Sequence, residues 1–220
     1  KVGVVGCGVG GMATAVALAR RGHEVTLLEA VDAPRPVGSG LLLQPTGLQA
    51  LWQLGLLDAV RAHGAPVKRL YGETSGGRAV MDMRYADLDP LLCGIGMQRG
   101  ALFALLDAAL AARAQLHVDT EIVEIDRDRG YLHDARGHRH GAFDAVVVAD
   151  GSASVLRAQV SPTRLDRPYP WGALWCLLPE ADWPWRDELR QRYALARQMA
   201  GMLPVGTAPG DPLRRLSFFW

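Results

Sequence analysis

KVGVVGCGVGGM, residues 1–12, is a short apolar run that breaks into glycines and then resumes with small residues. Lys1 to Gly6 predicts a strand. Met12 to Arg21 predicts a helix, with Ala15, Leu18 and Ala19 recurring at helical spacing and Gly22 as its stop. Glu24 to Glu29, rich in Val and Leu, predicts a second strand. Strand, helix and strand within about 30 residues make a βαβ unit, whose parallel strands are joined right-handed and lie in a covered sheet.

The turn inside this unit, Gly6-Cys7-Gly8-Val9-Gly10-Gly11, has the G-x-G-x-x-G spacing in the strand-to-helix setting that gives the spacing meaning. Its glycines allow a tight turn and a close approach of backbone to a pyrophosphate, whose charge meets the free N–H groups and positive dipole at the helix start. Gly6, Gly8, Val9, Gly10 and Gly11 are therefore candidate cofactor contacts. Glu29 stands 18 residues after Gly11 at the end of the second strand, where a carboxylate can accept hydrogen bonds from an adenosine ribose. An acid there suits FAD or NAD and disfavours NADP, whose 2′-phosphate it would repel. The competing reading is a glycine turn that only packs helix on strand.

Further along, Pro34 to Pro45 predicts an ordered loop, and Leu48 to Arg61 returns to helical spacing through Leu51, Leu54 and Leu57. Val67 to Met97 alternates and carries the turn pairs Gly76-Gly77 and Asp89-Pro90, which predicts antiparallel strands. Arg99 to Arg113 predicts a helix with Leu102, Leu105, Leu106 and Leu110 on one side. Strands at Gln115 to Asp119 and Ile122 to Asp126 follow, then a polar hairpin at Tyr131 to Gly141 and a buried strand from Phe143 to Ala149. Beyond Pro162, Trp171 to Leu178 and Leu213 to Trp220 predict strands flanking a helix from Trp185 to Met199. The expected fold class is α/β: a Rossmann-like domain with a parallel sheet in residues 1–66 and 98–160, and part of a mostly antiparallel domain in residues 67–97 and 161–220.

Asp150-Gly151-Ser152-Ala153-Ser154-Val155-Leu156-Arg157 follows the buried strand as D-G-x-x-S-x-x-R. Asp150, at a strand's C-terminal end, projects into the crevice where ligands of open α/β sheets bind. An Asp-Gly turn with Ser152 or Ser154 capping a short helix is the other reading. The segment resembles the second fingerprint of the flavoprotein aromatic hydroxylases related to p-hydroxybenzoate hydroxylase and salicylate hydroxylase. In that family the Asp binds flavin ribityl or ribose hydroxyls near the pyrophosphate, and the segment is linked to nicotinamide use. Gln98-Arg99 with Leu102 and Leu106 resembles the family's R-x-x-L-x-x-x-L segment, whose Arg contacts the FAD. A guanidinium there can hold phosphate oxygens with paired hydrogen bonds, a solvated helix-end Arg being the alternative. Gly38-Ser39-Gly40 through Pro45, with Leu51 to Gly55, resembles the family's loop and helix beside the flavin. The likeness touches nearly all of residues 1 to 160.

The resemblance implies FAD as cofactor, with Gly6, Gly8, Val9, Gly10, Gly11, Glu29, Arg99, Asp150 and Gly151 as its contacts. It also implies NADH or NADPH as co-substrate, and hydroxylation of a small aromatic or other electron-rich ring with dioxygen through a flavin hydroperoxide. No catalytic side chain is assigned. A related flavin reductase or halogenase, and a nucleotide-binding module without turnover, are the alternatives. The family's third fingerprint, a G-D-A segment, is missing; Gly210-Asp211 is followed by Pro212 in a loop-like setting. That motif lies beyond position 220 in the family, and a chain ending on Ser217-Phe218-Phe219-Trp220 is expected to be a fragment of something longer. Ala30 stands where many relatives carry Arg, which leaves the adenine contacts open.

The 24 basic and 23 acidic residues, net +1, are scattered along the chain, so nucleic acid is not an expected partner. Apolar runs such as Leu102 to Leu110 fall short of the roughly 18 residues of a membrane span, and the opening strand does not read as a secretory signal, although a leader already removed would leave the same picture. Cys7, Cys93 and Cys176 form no CxxC pair, which predicts neither zinc nor disulfides and fits a reducing cytoplasm. His138 and His140 have no Cys or carboxylate at ligand spacing by this reading, so no metal is expected. Trp183-Pro184-Trp185 begins like the W-x-W-x-I-P pattern of flavin halogenases, but Arg186 to Leu189 do not complete it. Those enzymes also use a catalytic Lys, and the lysines here are Lys1 and Lys68. Tyr169, Trp171 and Trp175 suit either an aromatic pocket or a plain core. A monomer or homodimer is expected.

Overall fold

The structure, a computed structural model, describes residues 1–35, 38–111, 113–162, 165–195 and 197–220. In chain order the elements are β1 (Val2–Val5), α1 (Val9–Ala19), β2 (Val25–Leu28), β3 (Gly40–Leu43), α2 (Pro45–Gln53), α3 (Leu57–His63), β4 (Ala65–Val67), β5 (Arg69–Thr74), β6 (Ala79–Arg84), β7 (Gly94–Gln98) and α4 (Arg99–Ala111). There follow β8 (Gln115–His117), β9 (Ile122–Asp126), β10 (Tyr131–Asp134), β11 (Arg139–His140), β12 (Ala145–Val148), α5 (Arg157–Val160), β13 (Trp175–Pro179), β14 (Glu188–Ala194), β15 (Gln198–Ala208) and β16 (Asp211–Phe219). These gather into two compact units, Lys1–Arg35 with Leu106–Tyr169, and Pro36–Leu105 with Pro170–Trp220.

The first unit is built on a four-stranded sheet in the order β12-β1-β2-β8, all parallel. Strands buried on both faces need apolar residues throughout, and β1 is VGVV, buried at every position. Its register pairs Val5 with Leu28 on one side and Val148 on the other, so three strands end level. Helix α1 buries Gly11, Met12, Ala15 and Val16, a stripe of small and flexible residues that brings it down onto the sheet. A three-stranded antiparallel sheet, β11-β10-β9, completes the unit. Val5, Leu28, Ile122, Leu132 and Leu156 form a core that Ile125, Phe143, Val146 and Val148 border.

The second unit carries a six-stranded sheet, β13-β16-β15-β14-β5-β6, antiparallel except for the β14–β5 pair, and a three-stranded antiparallel sheet, β3-β7-β4. Val67, Leu189, Leu203 and Val205 form its core with Leu42, Leu70, Leu177 and Phe219. The mixed α/β class is as expected, with a parallel sheet in the first unit and mostly antiparallel sheets besides it. Among the described residues no helix is long and apolar enough to cross a membrane.

Three local expectations are corrected. The helix expected from Trp185 to Met199 is instead β14 and the start of β15, residue 196 lying outside the described residues. Leu189 and Tyr193 fit helical spacing, yet Leu189, Gln191 and Tyr193 also alternate with Arg190 and Arg192. Pairing with β5 on one side and β15 on the other decides for the strand. The expected loop from Pro34 to Pro45, of which residues 36 and 37 lie outside the described residues, contains β3, bonded along its length to β7. The helix read through Leu48 to Arg61 is two helices, broken where Gly55 takes φ +73°.

Candidate functional site

The parallel strands of the first unit end in a crevice of about 300 Å³, lined by Gly6, Gly8, Glu29, Thr120, Glu121, Asp150 and Gly151 among others. It lies beyond the carboxyl ends of β1, β2 and β12, where open parallel sheets bind ligands. The glycine turn and Asp150, 144 residues apart from Gly6 in sequence, thus face one space.

The four glycines of the turn divide by what surrounds them. Gly6 takes φ +100°, and a Cβ there would stand 2.5 Å from the Ala149 carbonyl oxygen. A Cβ at Gly11 would stand 1.9 Å from the Gly6 carbonyl oxygen, so the helix can meet the turn only without a side chain. Around Gly8 and Gly10, by contrast, an added Cβ would meet nothing within 4 Å. These two positions leave the backbone bare toward open space, which is what close approach of a phosphate requires. Helix α1 has no side-chain cap and no acidic residue in its first turn. Its first intrahelical bond runs from the Met12 N–H to Gly8 O at 2.9 Å, so the amides of Val9, Gly10 and Gly11 have no acceptor within the helix. Val9 itself is 40% exposed.

Glu29 reaches back beneath the turn. Its Oε2 accepts the Cys7 N–H at 2.6 Å and its Oε1 the Val31 N–H at 3.0 Å. The carboxylate is thereby fixed in the crevice wall with lone pairs to spare, and it braces the turn as well. Cys7 is buried, and that burial, then the nearby Glu29 and Asp107 carboxylates, pushes its thiol up to about 11.

On the other side, Asp150, Gly151 at φ +85°, Ala153 and Val155 line the crevice, while Ser154 and Arg157 of the second motif bond to the chain itself. Ser154 Oγ accepts the Arg157 N–H at 3.0 Å at the start of α5. The Arg157 guanidinium donates to Ser152 O at 2.6 Å and to Asp166 at 2.8 Å. Of the alternative reading, Ser154 does meet a backbone N–H at the start of the short helix α5. Thr120, Glu121 and Ile122, which also line the crevice, carried no signal in the sequence. They enter through backbone bonds, Thr120 N–H to Glu29 O at 2.8 Å and Asp119 N–H to Val31 O at 3.1 Å, which many side chains would permit.

Arg99 belongs to the second unit, at the head of α4, where its N–H donates to Ser39 O at 2.9 Å. Its side chain lies over Gly38, where a Cβ would stand 2.4 Å from Arg99 Cδ. Gly210-Asp211 forms the tip of the β15–β16 hairpin, Asp211 accepting the Leu213 N–H at 3.0 Å. Trp171 and Trp175 are 62% and 50% exposed and Tyr169 81%, so none of them is core. His138 and His140 do have a carboxylate beside them, contrary to the sequence expectation: Asp134 Oδ2 lies 3.1 and 3.0 Å from their ring nitrogens. Among the described residues no group of three or more His, Cys, Asp or Glu is arranged to hold a metal ion.

The sequence profile of the FAD-binding domain family matches residues 1–212. The chain is 33% identical over 163 residues to the probable 2-heptyl-3-hydroxy-4(1H)-quinolone synthase AqdB2 of Rhodococcus erythropolis, an alignment covering 71% of this chain and 40% of that protein. It is 32% identical over 178 residues to the phenazine 1,6-dicarboxylic acid hydroxylase PhzS of Lysobacter antibioticus, covering 74% and 43% respectively. The solved tetrameric form of 2-methyl-3-hydroxypyridine-5-carboxylic acid oxygenase superposes with a TM-score of 0.81 at 23% identity, over 99% of this chain and 57% of that one. At that identity the likeness bears on the fold. The chain thus spans well under two thirds of the length of these relatives.

Proposed function

The chain belongs to the FAD-binding domain family, and from that membership we propose that it is the cofactor-binding part of a flavin-dependent monooxygenase that hydroxylates an aromatic or other electron-rich ring, using NADH or NADPH and dioxygen. The observation that carries the reading is the single crevice onto which Gly6, Gly8, Glu29, Asp150 and Gly151 converge. Its bare glycines, uncapped helix start and fixed acceptor fit the diphosphate and ribose of FAD. When bound, FAD supplies the redox chemistry, taking electrons from the nicotinamide and activating dioxygen.

In this reading the chain's own residues bind and orient. The amides of Val9, Gly10 and Gly11 take phosphate oxygens, Gly8 leaves room for them, and Gly6 and Gly11 hold the turn. Glu29 accepts from the adenosine ribose, and Asp150, with Gly151 clearing space beside it, accepts from a further sugar or ribityl hydroxyl. Arg99 contributes a guanidinium, on the strength of the family segment it heads. Residues 1–66 and 98–160 serve the cofactor and residues 67–97 and 161–220 the ring substrate. The free Cys7, Cys93 and Cys176 support a reducing, cytoplasmic setting.

The test is to purify the intact protein, titrate it with FAD, and screen aromatic acids, phenols and N-heterocycles for faster NADH or NADPH oxidation with a product heavier by one oxygen atom. Protein that takes up no FAD overturns the proposal. FAD uptake with substrate-independent nicotinamide oxidation and no oxygenated product makes it a reductase instead.

A further inference from the structure

One wall of the crevice is the end of the short segment Asp119–Ile122, of which Thr120, Glu121 and Ile122 line it, and its anchor is a hairpin turn that is not among the lining residues. Asp134 to Gly137 is a turn closed by the Gly137 N–H on Asp134 O at 3.0 Å, with Asp first and Gly fourth as such turns favour. The Asp134 side chain, 5% exposed, organises it: Oδ1 accepts the N–H of Arg136 at 3.0 Å and of His138 at 2.8 Å. Oδ2 faces His138 Nδ1 at 3.1 Å and His140 Nε2 at 3.0 Å, each ring able to donate from that nitrogen. Burial raises the Asp134 carboxyl, but the bonds from His140, His138 and Arg136 outweigh it and hold the group well below the usual carboxylate range.

Two ties run from this turn to the wall. The Ala135 N–H donates to Glu121 O at 2.8 Å, and the Arg136 guanidinium meets Asp119 Oδ2 at 2.5 Å. Asp119 takes φ +52°, a left-handed conformation that Asp adopts more readily than most residues, and the Arg136 contact holds its side chain there. The wall then continues through Thr120 N–H to the carbonyl of Glu29 at 2.8 Å. Among the described residues no other carboxylate pairs with the two histidines; His117 stands edge-on to His140 with ring centroids 6.3 Å apart.

We infer that Asp134, clamped by His138 and His140, is a positioning residue for the adenosine end of the cofactor site, holding the Asp119–Ile122 wall at the distance from Glu29 that the ribose requires. The inference rests on the reading of the crevice as the FAD site. It assigns a role to two histidines that neither a metal nor the fingerprints absorb, and it makes the β10–β11 turn part of the binding apparatus.

The test is calorimetric titration of the intact apoprotein with FAD and with ADP, well below the melting temperature, together with hydrogen exchange at residues 119–122. Asp134→Ala is expected to weaken both ligands by a common factor of about tenfold, the scale of one charged-group hydrogen bond, and to speed exchange in the wall without ligand. Asp134→Asn keeps an oxygen for the Arg136 and His138 amides but puts an NH2 where Oδ2 meets the two imidazoles, and is expected to weaken ADP by an intermediate factor of about threefold. A merely structural Asp134 lowers the melting temperature and leaves ADP affinity and wall exchange alone; that result overturns the inference. If Asp134→Ala does not fold, Arg136→Ala, which removes a 59% exposed side chain, carries the test: unchanged ADP affinity and wall exchange overturn it equally. Glu29→Gln separates the two levels. If it leaves ADP binding untouched, the crevice is not the adenosine site; if it weakens ADP while Asp134→Ala does not, only the positioning role falls.

Discussion

After Val5 the chain turns through four glycines, two of them closed to any side chain and two standing in open space. After Val148, on the neighbouring strand and at the same height, it turns through Asp150 and one glycine, and then Ser154 and Arg157 tie the segment to itself. The first turn is specified by backbone clearance at Gly6 and Gly11, while the fold itself leaves Gly8 and Gly10 free to carry a side chain. The second is shaped by side-chain bonds from Ser154 and Arg157, while Asp150, Gly151, Ala153 and Val155 line the crevice. The contrast teaches that the letters of one motif need not act together: in D-G-x-x-S-x-x-R, Asp150 lines the crevice while Ser154 and Arg157 bond to the chain itself.

The contrast breaks most visibly at Gly11. With a Cβ placed 1.9 Å from the Gly6 carbonyl, Gly11→Ala forces the helix off the turn. We expect loss of at least about 3 kcal/mol, the upper range of overpacking, seen as a large drop in urea midpoint and no recoverable FAD binding. Gly8→Ala is the counterpart. Gly8 has φ −76°, which alanine adopts freely, and an unobstructed Cβ, so the urea midpoint should stay where it is while FAD affinity falls about tenfold or more as the methyl meets the phosphate. Equal damage from both substitutions would erase the distinction between closed and open glycines.

That division was only half visible in the sequence. The spacing Gly6, Gly8, Gly11 and the acid at Glu29 are legible because the turn's chemistry is local: clearance, helix start and acceptor all fall within one βαβ unit. Thr120 and Glu121 are not legible, because they join the crevice by backbone bonds that set no demand on their side chains. Asp134, His138 and His140 read as a polar hairpin, since a carboxylate at i with imidazoles at i+4 and i+6 is indistinguishable from a solvated turn until the hairpin folds and buries the Asp134 side chain beneath their ring nitrogens. The β14 strand failed for the opposite reason. Its residues carry good helix propensity, and only its two strand neighbours, 119 residues away at Arg69 and later at Met202, settle it.

On the second turn the same separation predicts smaller effects. Ser154→Ala removes the acceptor for the Arg157 N–H and should cost about 1 kcal/mol, the usual worth of a helix-start hydroxyl, with FAD affinity unchanged. Asp150→Ala should do the reverse, weakening FAD by a factor of about ten with little change in urea midpoint, because Asp150 lines the crevice. A Ser154→Ala variant that folds normally but binds FAD poorly would assign the serine to the cofactor and end the proposed split.

The smallest signal comes from Cys7, whose buried side chain sits under the first turn while its N–H is held by Glu29. Alkylation needs thiolate, and with the thiol pushed up to about 11 the reactive form is scarce at neutral pH. Cys176, exposed on β13, has no such shelter. Iodoacetamide followed by mass spectrometry should therefore label Cys176 readily at pH 8 and Cys7 slowly. The Cys7 rate should rise about tenfold per pH unit up to its pKa, as expected when a minor thiolate carries the reaction. Glu29→Gln should speed Cys7 labelling twice over: it removes a neighbouring negative charge, which lowers the thiol pKa, and it loosens the brace that keeps the turn shut. Rapid labelling of Cys7 in the unmodified protein would mean that the first turn opens easily, and the view of it as a rigid, backbone-specified cradle would fail at the residue between its first two glycines.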